Sequence, residues 1–183
     1  MNARMFPVSE PELATREQEA PPVRFDERSF RRALGRFATG VVVISTGNGE
    51  RLHAMTANAF MSGSLEPPLI VVSVGRRARM HERLMETSLF GVSVLSHEQE
   101  KHSRHFAGEL QDSLAPRFAG VEGLPGVVLL EHAVARFAAQ VVDRHPCGDH
   151  TLFIGKVLVF SLDEQAPLVF FGGRYASVAT AHC

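Results

Sequence analysis

The stretch HAMTANAFMSGSLEPPLIVVSV, residues 53–74, contains the signals that decide the fold. Its last part, LIVVSV (69–74), is a run of β-branched residues that predicts a strand. The part before it consists mainly of small and hydroxyl residues and predicts a loop, which Glu66-Pro67-Pro68 ends. Short side chains let a flat ligand lie against the backbone and use its N–H and C=O groups. We therefore predict a ligand-binding loop followed by a strand.

Segments on both sides of this stretch also have the composition of strands. Gly47-Asn48-Gly49 follows the first of them and predicts a hairpin turn. It is not half of a dinucleotide fingerprint, because the third glycine and the following helix are absent. The further predicted strands are VVVIST (41–46), FGVSVL (90–95), ARFAAQVV (135–142), TLFIGKVLVF (151–160) and PLVFFG (167–172).

Three segments predict helices, and the first shows the clearest apolar periodicity. In FDERSFRRALGRFATG, Phe30, Ala33, Leu34 and Phe37 form one apolar stripe, with Asp26 as the N-cap and Gly40 as the stop. The others are RARMHERLMET (77–87) and HEQEKHSRHFAG (97–108). Strands outnumber helices without strict βαβ alternation. This predicts a mainly β single domain, a closed or nearly closed antiparallel barrel with peripheral helices.

Length and composition exclude several classes of protein. The 183 residues, 45% apolar and 21% charged, suit one domain, and the net charge of -1 does not favour a nucleic-acid partner. No apolar run approaches the ~20 residues that span a bilayer. Two cysteines make no disulfide framework, so we expect a reducing cytoplasm. Residues 1–24 are rich in Pro and Glu and predict a flexible arm, with the domain at 25–183.

The stretch DRHPCGDH, residues 143–150, concentrates side chains that can bind metals or act in catalysis. A structural zinc site needs four placed ligands, usually from two paired clusters, and this chain offers one interrupted cluster. We predict no metal site here, with Asp149 in a turn before a strand. His150, where the strand begins, remains a candidate site residue.

Other chemistry is weakly represented in the sequence. There is no GxSxG elbow and no cysteine in an activating setting, so nucleophilic hydrolysis is not supported. Arg76, Arg77 and Arg79 follow the LIVVSV strand at the start of a predicted helix, and such arginines suit a phosphate. The alternative is an ordinary solvated basic turn.

Five motifs in register resemble the flavin reductase-like family. They are FRRALGRFATGVVVIST, AMTANAFMSGSLEPPLIVVSV, FGVSVLS, GDHTLFIGKV and PLVFFGGRY, and the resemblance extends from Phe25 to Ala179. It implies an FMN-binding split β-barrel with a Greek-key core and a homodimer. It also implies NADH- or NADPH-dependent reduction of FMN or FAD, which supplies reduced flavin to a partner monooxygenase.

The resemblance also implies which residues bind the two cofactors. His150 would contact or position the nicotinamide, and we take it as the catalytic candidate. The flavin would contact residues of the 54–75 region, an arginine and an aromatic: Ala54, Met55, Thr56, Ala57, Asn58, Ser62, Ser64, Leu65, Ser73, Val74, Gly75, Arg76 or Arg79, and Phe106. The nicotinamide nucleotide would contact His150 and the GGRY segment, Gly172, Gly173, Arg174 and Tyr175.

Three positions depart from the family pattern. Ala59 stands where the family usually has Ser, Ser93 where it has Asn, and Gly75 where an Asp often precedes the arginine. These changes remove polar groups near the flavin, so they bear on flavin affinity and on the choice between FMN and FAD. Two alternatives stay open: a non-catalytic flavin- or haem-binding barrel, and an oxidase of the pyridoxine-phosphate type, which would need a more basic pocket.

Overall fold

The computed structural model describes residues 26–109 and 114–178; the predicted N-terminal arm lies outside these ranges. Three α-helices occur in them: α1 (Glu27–Leu34), α2 (Arg79–Glu86) and α3 (Glu100–Phe106), with 3₁₀ turns at Gly49–Arg51 and His97–Gln99. The strands are β1 (Thr39–Gly40), β2 (Val42–Thr46), β3 (His53–Ala57), β4 (Phe60–Leu65), β5 (Pro68–Gly75), β6 (Leu89–Val94), β7 (Phe118–Val121), β8 (Leu124–Leu130), β9 (Ala135–Cys147), β10 (His150–Leu162), β11 (Leu168–Phe171) and β12 (Arg174–Ser177).

Seven strands form the main sheet, in the order β3-β2-β6-β9-β10-β5-β4. All of its neighbouring strands are antiparallel. A three-stranded sheet, β1-β11-β12, and the hairpin β7-β8 complete the β structure of the described ranges. The prediction of a mainly β antiparallel domain with peripheral helices is confirmed.

The main sheet is split at the Asn58–Ala59 turn. Its two edge strands, β3 and β4, are consecutive in the chain and are joined by these two residues alone, yet no ladder pairs them. The sheet therefore curls until its edges meet at one turn and does not close by hydrogen bonding. The prediction of a closed barrel is wrong in this respect, while a nearly closed barrel describes the sheet well.

The main core lies inside the curled sheet. Phe90 of β6 and Phe153 of β10 are both 0% exposed, and Met80 and Leu84 of α2 cover the same cluster. Met80 and Leu84 lie four residues apart, so one face of α2 meets the sheet, and the predicted helix within 77–87 is confirmed. A second cluster, around Leu95, lies beneath α3 and the small sheet.

Helix α1 begins as predicted and ends earlier than predicted. The Asp26 carboxylate accepts a hydrogen bond from the Ser29 N–H at 2.8 Å, which caps the helix. The Ser29 side chain, and then this N–H, lower the pKa of Asp26. The helix ends at Leu34 with Gly35 as its C-cap, whereas Gly40 lies in strand β1. The predicted stop at Gly40 is therefore wrong.

The predicted loop over residues 53–65 is also wrong, because strands β3 and β4 occupy it. Small residues fit a strand when the neighbouring strand supplies the packing. The predicted hairpin after β2 is confirmed, with Thr46 paired to His53. Three elements have no counterpart among the predictions: strand β1, the β7-β8 hairpin and strand β12. No helix in the described ranges is both long and apolar enough to cross a membrane.

Candidate functional site

Two clefts lie on either side of the Asn58–Ala59 turn. The first has a volume of about 180 Å³ and is lined by Val41, Thr56, Ala57, Asn58, Ser103, Ala107, Glu109, Phe170 and Tyr175. The second has a volume of about 360 Å³ and is lined by Phe37, Thr39, Asn58, Ala59, Phe60, Met61, Val71, Ser73 and Leu152. Asn58 lines both clefts, so they adjoin. We call them together the split groove.

Hydrogen bonds organise the first cleft. The Thr56 hydroxyl donates to the Ser103 carbonyl at 2.7 Å, which ties β3 to α3. The Ser103 hydroxyl lies 2.9 Å from the Tyr175 hydroxyl, which ties α3 to β12. The Arg104 guanidinium lies 4.7 Å from the centre of the Tyr175 ring, and its hydrogen bond to Glu100 raises the pKa of Arg104. This wall therefore carries several polar groups and is held at three points.

The second cleft is mostly apolar. The Phe37 side chain is 79% exposed at its edge, and Met61 of the edge strand is 60% exposed. Polar groups are few: the Ser73 N–H donates to the Ala59 carbonyl at 3.0 Å. The Thr39 hydroxyl oxygen is buried and has no hydrogen-bond partner among the described residues. An apolar wall with a few polar atoms matches a flat heteroaromatic ring.

The strand geometry divides the five predicted flavin residues of the 54–58 segment. Side chains alternate along β3, so Met55 packs against the main core while Ala54 packs against the second cluster. Thr56, Ala57 and Asn58 line the split groove. Met55 therefore lines neither cleft.

The predicted residues of the edge strand β4 lie outside the two clefts. Ser62 is exposed, and Leu65 is 86% exposed. The Ser64 hydroxyl accepts a hydrogen bond from the Glu66 N–H at 3.2 Å, within its own turn. Thus the structure does not bring these three side chains to the groove.

The end of β5 shows the same alternation. Ser73 lines the groove, whereas Val74 is 1% exposed in the main core and so has no side-chain access to a ligand. Gly75 pairs with His150 across the sheet, and the His150 ring lies over it. Ser73 and Gly75 thus face the side on which a ligand could lie.

Arg76 and Arg79 have different neighbours. Both are exposed, and α2 begins only at Arg79. The Arg76 N–H donates to the Asp149 carbonyl at 3.0 Å, beside the β9-β10 turn. Arg79 lies near His53, whose pKa is lowered by burial first and then by the charges of Arg79 and Arg83. Of the two, Arg76 is the arginine beside His150.

His150 forms a dyad with the preceding aspartate. Its Nδ1 lies 2.7 Å from Asp149 Oδ1, and the side chain is 45% exposed. The hydrogen bond from His150 lowers the pKa of Asp149, and the charge of Arg31 adds to this effect. Gly148 and Asp149 form the turn and β10 begins at His150, so the predictions of a turn at Asp149 and of a strand that begins at His150 are confirmed.

Phe106 and the GGRY segment lie in different surroundings. Phe106 packs against the second core cluster, 5.8 Å from the Phe118 ring, and does not line the groove. Gly172 and Gly173 form the β11-β12 turn with φ angles of 60° and 81°, which favour glycine. Tyr175 lines the groove, while Gly172 and Gly173 line a separate cavity beside α1.

Several groove residues were missed from the sequence. Ser103, Glu109 and Phe170 come from α3, the residues after it, and β11, far from the 53–74 stretch. No local pattern marks them, because only tertiary folding brings them to the Asn58 turn. Leu152, on β10 next to Ser73 in register, could have been found from the strand alternation.

A metal centre finds no support in the described part of the chain. No three side chains among its His, Cys, Asp and Glu residues come close enough together to hold an ion. Cys147 is exposed and free, and it pairs in register with His150.

Comparison with known proteins identifies the family. The model of the "Flavin reductase like domain" family matches residues 34–179. An NADH-dependent flavin reductase of Rhodococcus sp. is 45% identical over 152 residues, which cover 81% of this chain and 85% of the relative. The reductase component of 4-hydroxyphenylacetate 3-monooxygenase from Thermus thermophilus is 38% identical over 150 residues, covering 81% and 95%.

A solved structure extends the likeness to the fold. The flavin reductase PheA2 in its native state superposes with a TM-score of 0.81 at 44% sequence identity. The match covers 85% of this chain and 100% of that chain. Structural neighbours of this kind have the split-barrel fold. The chain belongs to the flavin reductase-like family.

Proposed function

We propose that this protein is an NADH-dependent flavin reductase that binds FMN or FAD in the split groove. The observation that carries the proposal is the pair of adjoining clefts at Asn58, one with several polar groups in its wall and one mostly apolar, in a chain of this family. The larger cleft, about 360 Å³, lies within the range of small-molecule sites, roughly 300–1,000 Å³. Flavin bound there supplies the ring that accepts a hydride from the nicotinamide.

The residues of the chain bind and orient the reactants. Asn58 and the Ser73 hydroxyl offer hydrogen bonds on the two sides of the turn, and the unpartnered Thr39 hydroxyl offers a third. Hydride transfer between two bound cofactors needs close approach and alignment more than acid–base groups. A site with few titratable side chains suits that chemistry.

The dyad at the β9-β10 turn fits the nicotinamide side. Asp149 holds the His150 ring through Nδ1, which leaves Nε2 above Gly75. We infer that His150 positions the nicotinamide nucleotide and that Arg76, bonded through its N–H to the same turn, faces the flavin phosphate. Under this arrangement His150→Ala raises KM for NADH more than it weakens flavin binding. Equal losses of both would contradict the assignment.

The test of the proposed function is direct. Purified protein is mixed with NADH or NADPH and with FMN or FAD, and the nicotinamide absorbance is followed. We expect flavin-dependent oxidation that is faster with NADH. A variant that fills the larger cleft, Ala59→Phe, should lower the rate at least tenfold, whereas Ala115→Phe, an exposed alanine that lines neither cleft, should not. If neither nucleotide is oxidised, the proposal is wrong.

We further infer that reduced flavin passes to a monooxygenase and that the protein works in the cytoplasm. Relatives include the reductase component of a two-component monooxygenase, and cysteines are few. The transfer is tested by coupling the protein to a flavin-dependent monooxygenase with NADH as the only reductant. Hydroxylation that depends on both proteins supports the inference. Reduced flavin that sustains no hydroxylation opposes it.

A homodimer would cover the exposed apolar side chains of the sheet. Phe160 and Leu162 at the end of β10 are 64% and 72% exposed, and Phe160 stacks on Phe137 at 6.4 Å. Contiguous exposed apolar surface favours association. We expect a dimer by sedimentation equilibrium, and Leu162→Asp should dissociate it while Lys156→Asp should not. A wild-type monomer at high concentration would refute the dimer.

A further inference from the structure

A cavity beside helix α1 is lined by four arginines and three glycines. Its volume is about 380 Å³, and its walls are Arg28, Arg31, Arg32, Gly35, Arg36, Gly172 and Gly173. The cavity is distinct from the split groove, with which it shares no lining residue. We call it the arginine cavity.

Three of the arginines share one side of α1 because of their spacing. Arg28 lies three and four residues before Arg31 and Arg32, which is one helical face, and Arg36 follows directly after the C-cap Gly35. The Gly172 N–H donates to the Gly35 carbonyl at 2.8 Å, and this contact holds the β11-β12 turn against the end of the helix. Two glycines in that turn leave the cavity open to a ligand.

The positive charge of the cavity is only partly neutralised within the chain. Arg31 pairs with Glu27 at 2.8 Å, whereas Arg28, Arg32 and Arg36 form no ion pair with any residue of the described ranges. Like charges on adjacent helical turns repel one another. An anion in the cavity would relieve that repulsion, and guanidinium groups bind phosphate oxygens in pairs.

The cavity is also close to the nicotinamide side of the proposed site. Arg31 lies near enough to the Asp149 carboxylate to help lower its pKa, and Asp149 is bonded to His150. Gly172 and Gly173 belong to the turn whose next strand supplies Tyr175 to the split groove. A ligand long enough to reach from the groove across this turn would place its distal part among the arginines.

We propose that the arginine cavity binds the phosphates of the ADP part of a dinucleotide whose reactive ring lies in the split groove. This rests on the proposed function, and both NADH and FAD contain such an ADP part. The cavity is then a specificity element, because it favours dinucleotides over FMN or other mononucleotides that end short of it.

The binding test uses ADP alone, so that it does not depend on activity. Isothermal titration of the full chain should show ADP binding that weakens at high salt and adenosine binding that is at least about tenfold weaker. The double variant Arg32→Ala/Arg36→Ala should weaken ADP binding at least about fivefold. Arg117→Ala is the matched control, because Arg117 is 80% exposed and its partner is Glu131. Equal ADP affinity in wild type and double variant, or no ADP binding, overturns the proposal.

Kinetics then identifies which dinucleotide uses the cavity. If NADH does, the double variant raises KM for NADH with FMN as acceptor. If FAD does, it raises KM for FAD but not for FMN. Unchanged KM for both dinucleotides, or equal rises for FAD and FMN, counts against the proposal. If the protein binds ADP through these arginines but oxidises no NADH, the binding role of the arginine cavity is supported and the proposed function is wrong.

Discussion

The curled sheet buries large apolar side chains in its core, whereas the region of helix α1 leaves its own exposed. Phe153 of β10 is 0% exposed in the main core, whereas Phe37, just after α1, is 79% exposed, and no residue of α1 is buried. The sheet therefore completes its core with residues of this chain. The α1 region instead directs arginines towards a cavity and leaves apolar side chains uncovered. The buried residues of the main core therefore lie in the sheet and α2, whereas α1 contributes none.

The strongest test of this contrast removes one phenylalanine from each region. Phe153→Ala should lower the free energy of unfolding by about 3–5 kcal/mol, because it opens a cavity in the core. Phe37→Ala should change it by less than about 0.5 kcal/mol, because the ring is already exposed. Urea denaturation at the same low protein concentration measures both. Similar losses for the two variants would break the contrast.

Glycines give a second test of how tightly the sheet is packed. A Cβ at Gly91 of β6 would lie 2.6 Å from the Ser45 hydroxyl and 2.7 Å from the Val128 carbonyl. Gly91→Ala should therefore cost about 1–3 kcal/mol of unfolding free energy. At Gly120 a Cβ would meet nothing within 4 Å, so Gly120→Ala is the matched control. A Gly91 variant as stable as the control would show that the sheet relaxes easily.

Removing a hydrogen bond in the wall of the split groove should have an intermediate effect on the free energy of unfolding. Tyr175→Phe keeps the ring near Arg104 but loses the hydrogen bond to Ser103. We expect a loss of about 0.5–1.5 kcal/mol in thermal or urea unfolding. The larger consequence should be on flavin KM, since this bond holds α3 beside the cleft. A KM equal to that of wild type would mean that the cleft wall does not depend on this bond.

The smallest expected effect is a pH dependence from two half-buried histidines. Burial lowers the pKa of His53 and His102 below the ordinary value of 6.5, with neighbouring positive charges contributing. As the pH falls, these histidines are protonated in the unfolded chain at a higher pH than in the folded chain. Their contribution to the free energy of unfolding is therefore complete above pH 6.5 and is lost progressively below it. Thermal melts at descending pH should show this decline. His102→Gln should reduce it, whereas an unchanged slope would point to other groups.

The sequence predicted those strands whose own residues carry the signal. Runs of β-branched and other apolar residues predict β2, β5, β6, β9, β10 and β11, and the segment 77–87 predicts α2. The residues of strands β3 and β4 predict a loop instead, because they are mostly small and have no strand propensity of their own. Their conformation comes from pairing with β2 and β5, which a local pattern cannot reveal.

The candidate site divides in the same way. Thr56, Asn58 and Ser73 lie within one contiguous stretch, so motif likeness located them in the groove. The resemblance also implies flavin contacts for Val74 and Met55, but strand alternation places their side chains against the main core. Ser103 and the arginine cavity depend on how α3 and α1 pack against distant strands. Their arrangement required the three-dimensional structure.

Strand β10 has a consequence for how the family's chain lengths can vary. It runs from His150 beside the turn to Leu162 in the exposed apolar patch, and its pairing with β9 shifts register at two places. One residue added between those ends would reverse the facing of every side chain beyond it, so Leu162 would swap sides while His150 stayed in place. Gains and losses of residues among natural homologues should therefore fall outside 150–162 and gather in connections such as 47–52. In a homologue with an odd number of residues inserted into that strand, we expect either the His150 side chain or the Leu162 side chain to lie on the opposite face of the sheet.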